Sequence, residues 1–220
     1  LKESNKSRAK KIIQKSNITT AEFFTTELGK HKNEKSMPIP FPLFVKPITG
    51  GDSRGIDKNS IVYNYKNYKK KVLEIKKNQH THCLVEKYLS GKEYSVGIFK
   101  DNITGIIQAM PIEIRTKKNI NGHHILDFDI KKNDEEDVVP VLDIKIFNQL
   151  SALAKKSFIA LEGKSFGRID FKMDHLGNPH FIEANLMPGI RKGYFYRSCL
   201  LNLNINYEEM ILKIAANGLN

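Results

Sequence analysis

Residues 167–190 read GRIDFKMDHLGNPHFIEANLMPGI. The apolar runs GRIDFKM and PHFIEAN flank Asp174, His175, Leu176, Gly177 and Asn178, a turn-forming cluster, so the stretch predicts a β-hairpin. Strand alternation puts Arg168, Asp170 and Lys172 on one face of the first strand and Ile169 and Phe171 on the other. On the second strand it groups Phe181, Glu183 and Asn185. A carboxylate on a packed strand is costly unless something pairs with it. If the two polar faces coincide, Asp170, Glu183 and Asn185 converge as two carboxylates and an amide oxygen. That hard-oxygen set suits Mg²⁺, particularly Mg²⁺ that also binds phosphates. The plainer alternative is an exposed salt bridge from Arg168 to Asp170 or Glu183, which contributes little. Three oxygen donors at matching strand positions, followed by MPGI, favour the metal site. Gly189 in that tail can turn a backbone N–H toward an oxyanion.

Two upstream segments have compatible chemistry. FPLFVKP (41–47) is a short apolar strand ending in Lys-Pro, and ITGGDSRGI (48–56) follows as a loop with three glycines and small hydroxyls. Exposed backbone N–H groups in such a loop can wrap phosphates. No GK[ST] closes it, so it is not the Walker pattern, and taken alone it reads better as an ordinary hairpin turn. Lys46 shifts that balance: a charge at the end of an apolar strand can reach a phosphate beside the loop. VEKYLSGKEYS (85–95) places Glu86 and Lys87 at the end of another strand and Glu93 at the start of the next. A chain crossing between sheets there offers backbone groups to a flat base. Tyr88 and Leu89 would add apolar contact, and a carboxylate could hold ribose hydroxyls. The competing reading is a surface charge pair.

Around these motifs the periodicity predicts helices over 6–15, 66–78, 144–161 and 206–217, and strands over 60–65 and 82–89. Ile144, Phe147, Leu150, Ala154 and Phe158 share one face of the third helix. Asn206 is a plausible cap of the last. KEYSVGIFK, ITGIIQAMPIEI and the hairpin predict an antiparallel sheet. Residues 115–139 are polar without a core pattern, as in a functional loop. The class is α+β, with a boundary near Ser90-Gly91 that divides the chain into 1–90 and 91–220.

The 220 residues, 40% of them hydrophobic, suffice for one large or two small domains. No run is apolar over the roughly 18 residues that a membrane span needs. The basic start LKESNKSRAKK lacks the apolar region of a signal peptide. It also lacks an initiator Met, which leads us to expect a fragment or processed chain. Two cysteines do not make a disulfide framework, and a reducing cytoplasm is the expected setting. The net charge of +12 is compatible with nucleic acid, an acidic membrane or an anionic substrate such as ATP. The basic residues are scattered without interleaved aromatics, which speaks against nucleic acid, and that binder gives Asp170, Glu183 and Asn185 no reason to converge. The seven histidines show no zinc spacing with cysteine, and His123-His124 read as solvent-facing.

Together, NKSRAKKIIQKSNI, FVKPITGGDSRGI, LVEKYLSGKEYSV and GRIDF…FIEANLMPG resemble the ATP-grasp fold, and within it the D-alanine–D-alanine ligases and related carboxylate–amine ligases. The resemblance runs from about Asn5 to the C-terminus. It implies an α+β fold whose two subdomains grip the nucleotide between them, residues 1–90 carrying the phosphate loop and 91–220 the metal site. It implies ATP contacts from Lys6 and the phosphate lysine Lys46, with Glu86, Lys87, Tyr88 and Leu89 at the adenine crossover and Glu93 on ribose. Arg168 would serve the transition state, Gly189 the oxyanion, and Asp170, Glu183 and Asn185 two Mg²⁺ ions, with Mn²⁺ as an alternative ion. Asp52 stands where these ligases usually carry a serine, and Ser53, next to it, is the candidate for that role. LDFDIKKND (126–134) resembles the ligases' tyrosine-rich segment, with Lys131 in register and Lys132 in place of a tyrosine. The activity implied is ATP-dependent amide formation between amino acids or peptides through an acylphosphate, with release of ADP. RKGYFYRS (191–198) departs from the ligases' serine-containing stretch, so Arg191, Lys192 and Tyr194 are candidates for reading a different acceptor; the alternative is that the segment merely packs before the last helix. A nucleotide-binding scaffold without turnover and an ATP-grasp kinase are the alternatives. The ligases' N-terminal, first-substrate domain would come from the parent chain or a partner. A homodimer stays open, with neither nucleic acid nor membrane as partner.

Overall fold

The computed structural model describes residues 5–51, 53–116 and 136–218. Asp52, His123-His124, Lys131 and Lys132 lie outside the described residues. The chain forms two compact units. The first is built on Ala21–Ser90 with residues up to Arg8, and the second on Ala9–Thr20, Gly91–Arg115 and Asp137–Asn220.

Helix α1 (Lys6–Lys15) begins in the first unit, where Asn5 caps it by accepting the Arg8 N–H at 3.1 Å. The unit then runs through β1 (Phe23–Thr26), β2 (Leu43–Pro47), β3 (Ile61–Val62), α2 (Tyr65–Gln79) and β4 (Cys83–Lys87). Its sheet has the order β1-β4-β2-β3, antiparallel throughout. Alternation sends Leu43, Val45, Cys83 and Val85 to one face, where Tyr68, Val72 and Ile75 of α2 cover them. The opposite parity, Phe44, Lys46, Leu84 and Glu86, occupies the other face. The strand expected over 60–65 is cut to Ile61–Val62 because Asn64 starts a helix: its side chain accepts the Asn67 N–H at 3.0 Å.

The second unit contains β5 (Glu93–Lys100), β6 (Ile107–Arg115), β7 (Asp137–Pro140), α3 (Ile144–Ala160), β8 (Phe166–Met173), β9 (Pro179–Asn185), α4 (Tyr194–Leu203) and α5 (Tyr207–Gly218). Its antiparallel sheet has the order β7-β6-β5-β8-β9. One face carries Tyr94, Val96, Ile98, Ile169, Phe171 and Phe181, packed against Leu150, Ala154 and Phe158 of α3 and Ala9 and Ile13 of α1. On the other face, Phe99 and Met110 pack with Phe195 and Cys199 of α4 and Met210 of α5. Gly97 makes that second packing possible, since a Cβ there would sit 2.8 Å from the Ser198 Cβ of α4. Asn206 and Glu209 form the reciprocal cap of α5, with N–H bonds of 3.0 and 2.7 Å.

The hairpin corrects one expectation. Asp170 pairs with Glu183, but Phe171 pairs with Phe181, so Ile182 has no partner and the register shifts there. An unmatched residue reverses the alternation beyond it. Phe181 therefore joins Phe171 in the core, ring centroids 6.4 Å apart, instead of sharing a face with Glu183 and Asn185. Ile144 is likewise 70% exposed and not part of the buried face of α3, which begins at Leu150. Strands β1 and β7 and helix α4 were not foreseen; β7 begins within the stretch read as irregular and ends one residue past it.

No helix among the described residues is long and apolar enough to cross a membrane. Replacing Gly97 with Ala is expected to cost about 1–3 kcal/mol, the usual range for overpacking. Ile144→Ala should stay within about 0.5 kcal/mol, as exposed substitutions do. Urea unfolding of the two variants checks both values.

Candidate functional site

In the second unit the polar face of β5, β8 and β9 is set by register. Glu93 lies opposite Lys172, Ser95 opposite Asp170, and Gly97 opposite Arg168. Across the other edge of β8, Asp170 lies opposite Glu183 and Arg168 opposite Asn185. The face-sharing expected of Asp170, Glu183 and Asn185 is thus present, with Arg168 among them. Arg168 grips Asp170 with two nitrogens: Nε donates to Oδ1 at 3.0 Å and Nη2 to Oδ2 at 2.9 Å. Ser95 Oγ donates to the same Oδ1 at 2.6 Å. The guanidinium also lies 5.5 Å from the centre of the Tyr194 ring on α4. Burial opposes the charge on Arg168, but the Asp170 carboxylate and then Glu183 outweigh it and raise the pKa above the ordinary arginine value. This cation stays charged throughout the working pH range.

Glu93 is half-buried and ion-paired with Lys172 at 3.0 Å. Asn185 Oδ1 accepts the Met187 N–H at 3.2 Å, which ties the amide to the start of the MPGI tail. Gly189 is exposed, and a Cβ built there meets nothing within 4 Å. Arg191 and Lys192 are exposed, whereas Tyr194 is buried beneath Arg168. Tyr194 thus holds the arginine and does not face outward with the other two.

The first unit gathers its own cationic set. Lys46 is buried on β2, and its Nζ meets Glu86 Oε2 of β4 at 2.6 Å, with side-chain exposures of 3% and 7%. Glu86, expected at the nucleotide crossover, is therefore the counter-ion of Lys46. Lys6 comes to the same loop from α1: its N–H donates to Ile48 O at 3.1 Å, and its Nζ donates to the Gly50 carbonyl. Gly50 adopts φ +95 and Ser53 φ +56, both left-handed, and a Cβ built at Gly51 meets nothing within 4 Å. At the end of β4 the Lys87 N–H donates to Glu22 O at 2.9 Å and the Tyr88 N–H to Pro42 O at 3.2 Å. Those two amide donors thus serve the fold, which narrows the backbone reading of Lys87–Leu89 as a base-facing edge to the remaining groups. Lys87 Nζ donates to the carbonyls of Pro40 and Phe41 at 3.2 and 3.4 Å.

Sequence reasoning missed Ser95 and the Glu86–Lys46 pair. Both could have been found by aligning strand parities, since each partner sits at an inward polar position of a neighbouring strand. Burial pushes the Cys83 and Cys199 thiols up to about 12, so neither is poised as a nucleophile.

Among the described residues, no three or more His, Cys, Asp or Glu side chains are grouped to hold a metal ion. The third donor on β8 and β9 is instead an amide, Asn185. The donor chemistry still fits a hard divalent cation: two carboxylates directly across a strand pair, one held in orientation by two partners, and an amide oxygen beside them.

A lysine-rooted glycine loop in one α+β unit and facing carboxylates on an antiparallel hairpin in the other define an ATP-grasp chain. A family model described as D-ala D-ala ligase C-terminus matches residues 12–216. The chain belongs to this family. A relative, D-alanine--D-alanine ligase B of Clostridium perfringens, is 26% identical over 221 residues, covering 98% of this chain and 68% of its own length. The fold is shared with the D-alanine--D-alanine ligase of Bacillus anthracis complexed with ATP, at a TM-score of 0.76 and 22% identity, over 99% of this chain and 66% of that one. It is also shared with the VanG D-Ala:D-Ser ligase of Enterococcus faecalis, at a TM-score of 0.76 and 19% identity, over 97% and 61%. The chain therefore spans about two thirds of the length of these proteins.

Removing one member of a buried ion pair costs about 3–5 kcal/mol. Glu86→Ala should therefore be strongly destabilised, and the double variant Lys46→Met/Glu86→Leu should recover much of the loss. Denaturant unfolding of both variants tests whether the pair is as dry as the geometry indicates.

Proposed function

We propose that this chain is the ATP-binding part of an ATP-dependent, ADP-forming carboxylate–amine ligase that joins amino acids or peptides through an acylphosphate. The observation that carries the reading is the register of β8 and β9, which sets Asp170 against Glu183 and Arg168 against Asn185. Membership of the D-ala D-ala ligase C-terminus family supports it. The relatives named above are ligases, which favours this reading over a scaffold or a kinase.

In this reading a carboxylate oxygen of the first substrate attacks the γ-phosphorus of ATP, and ADP leaves. The amine of the acceptor then attacks the acyl carbon, loses a proton, and displaces phosphate as the amide forms. Lys6 and Lys46 in the first unit neutralise phosphate charge, and Glu86 keeps Lys46 aimed through their 2.6 Å contact. Ser53, Gly50 and Gly51 offer loop N–H groups to the phosphates and help exclude water from the acylphosphate. Lys87, Tyr88 and Leu89 form the base-facing edge, and Glu93 takes the ribose hydroxyls. Arg168 is the fixed positive charge for the developing phosphoryl charge, and the Gly189 N–H serves the tetrahedral oxyanion. Asp170, Glu183 and Asn185 would hold divalent metal, two Mg²⁺ ions or Mn²⁺ in their place. Metal so bound neutralises and aligns the triphosphate. The first unit is then the phosphate-loop subdomain and the second the metal subdomain.

Arg191 and Lys192 follow Gly189 at an exposed position and suit recognition of an acceptor carboxylate. One structural neighbour is named for D-Ala and D-Ser, so the fold is not restricted to a single pair. A further domain would bind the first substrate, in the cytoplasm, where ATP and amino acids are at hand. A homodimer is compatible with the same chemistry.

Incubation of the protein with Mg·ATP and a panel of D- and L-amino acids, followed by mass spectrometry, distinguishes the readings. A ligase yields an amide with stoichiometric ADP and phosphate. A phosphorylated product without amide would instead establish a kinase, and no turnover with any pair when the first-substrate domain is also present would point to a scaffold. Asp170→Ala is expected to lose turnover while still binding ATP, more weakly; full activity in that variant would remove the metal site from the account.

A further inference from the structure

Ser95 has no part in the reading above, yet it occupies a singular place in the sheet. It lies on β5 directly opposite Asp170 and is 0% exposed. Its Oγ donates to Asp170 Oδ1 at 2.6 Å. Arg168 Nε donates to the same oxygen at 3.0 Å, and Nη2 donates to Oδ2 at 2.9 Å. Each carboxylate oxygen offers two in-plane lone pairs. Oδ1 is therefore filled, and Oδ2 keeps one lone pair for another partner.

We infer that Ser95 is a positioning residue for a divalent cation at Asp170: its hydroxyl fixes the plane of the carboxylate so that the remaining Oδ2 lone pair is the one presented. The inference rests on the metal reading of Asp170 and Glu183. The terminal torsion of an aspartate is soft, so without a second anchor the plane is set by Arg168 alone. No other side chain of β5 can substitute from this face. Glu93 is engaged with Lys172, and Gly97 has no side chain. A hydroxyl also orients the carboxylate without adding a second positive charge that would compete with the cation. Partners of this kind, one step removed from the metal, typically change its affinity about 10–100-fold when lost.

The test is Mn²⁺ binding to the full chain, followed by the electron paramagnetic resonance signal of free Mn²⁺ in the presence of a saturating non-hydrolysable ATP analogue. Wild type is compared with Ser95→Ala, which removes only the hydroxyl, and Ser95→Thr, which keeps it. The expected result is an Mn²⁺ Kd raised about 10-fold or more in Ser95→Ala and within about 3-fold of wild type in Ser95→Thr. Affinity for the analogue in EDTA should be the same in all three. An unchanged Kd in Ser95→Ala overturns the inference. Equal losses in both variants, or lost binding in EDTA, also overturn it by showing that Ser95 matters only for packing. If wild type binds no Mn²⁺, the metal reading itself falls and this inference with it, an outcome distinct from normal wild-type binding with a silent Ser95→Ala.

Discussion

The unmatched residue Ile182 between Phe181 and Glu183 is the constraint on which the polar face depends. Were Ile182 paired in regular register, strict alternation along β9 would put Phe181 on the same side as Glu183 and Asn185. The sheet would then have to bury two polar residues or expose a phenylalanine. One unpaired residue lets Phe181 close the core against Phe171 while Glu183 and Asn185 stay with Asp170 and Arg168. The hairpin thus completes the hydrophobic core on one side of the sheet and the polar cluster on the other. Bulges recur beside active sites because they re-aim side chains without loss of the strand pairing on either side.

Both units handle buried charge in the same way. Lys46 with Glu86, and Arg168 with Asp170, are each pairs drawn from strand positions where an apolar residue would pack more cheaply. Taking two charges out of water costs several kcal/mol per ion before their attraction is counted, and an apolar pair of similar volume is often at least as stable. Such pairs are therefore poor explanations of stability. Under the proposed function they answer the demand for fixed charge that phosphoryl transfer makes. In each pair the cation comes with an orienting partner. Lys46 lies 5.9 Å from the centre of the Phe44 ring, and Arg168 lies over Tyr194.

Much of this was legible in the residues. Periodicity located α1, α2, α3 and α5, and the turn cluster 174–178 located the hairpin, because each has a strong local signal. The strand parity of Arg168, Asp170, Glu183 and Asn185 was legible as well. The phase of Phe181 was not, since a bulge leaves no mark in a short apolar run. Strand β1, FFTT, is too short to show a period and exists by pairing with β4. Helix α4 was obscured because its buried residues, Tyr194, Phe195, Ser198 and Cys199, are of mixed polarity, and Gly97 on a distant strand creates the space it fills. Glu86 read as a nucleotide contact because its partner lies 40 positions earlier, across a pairing that only the sheet order reveals.

The most direct measurement is a calorimetric titration of ATP into the protein with and without Mg²⁺, alongside the Glu183→Ala variant. The account predicts binding that Mg²⁺ strengthens in wild type and no such strengthening in Glu183→Ala. ATP binding indifferent to Mg²⁺, or an equal response to Mg²⁺ in the variant, would contradict the claim that β8 and β9 carry the metal of an ATP-dependent ligase.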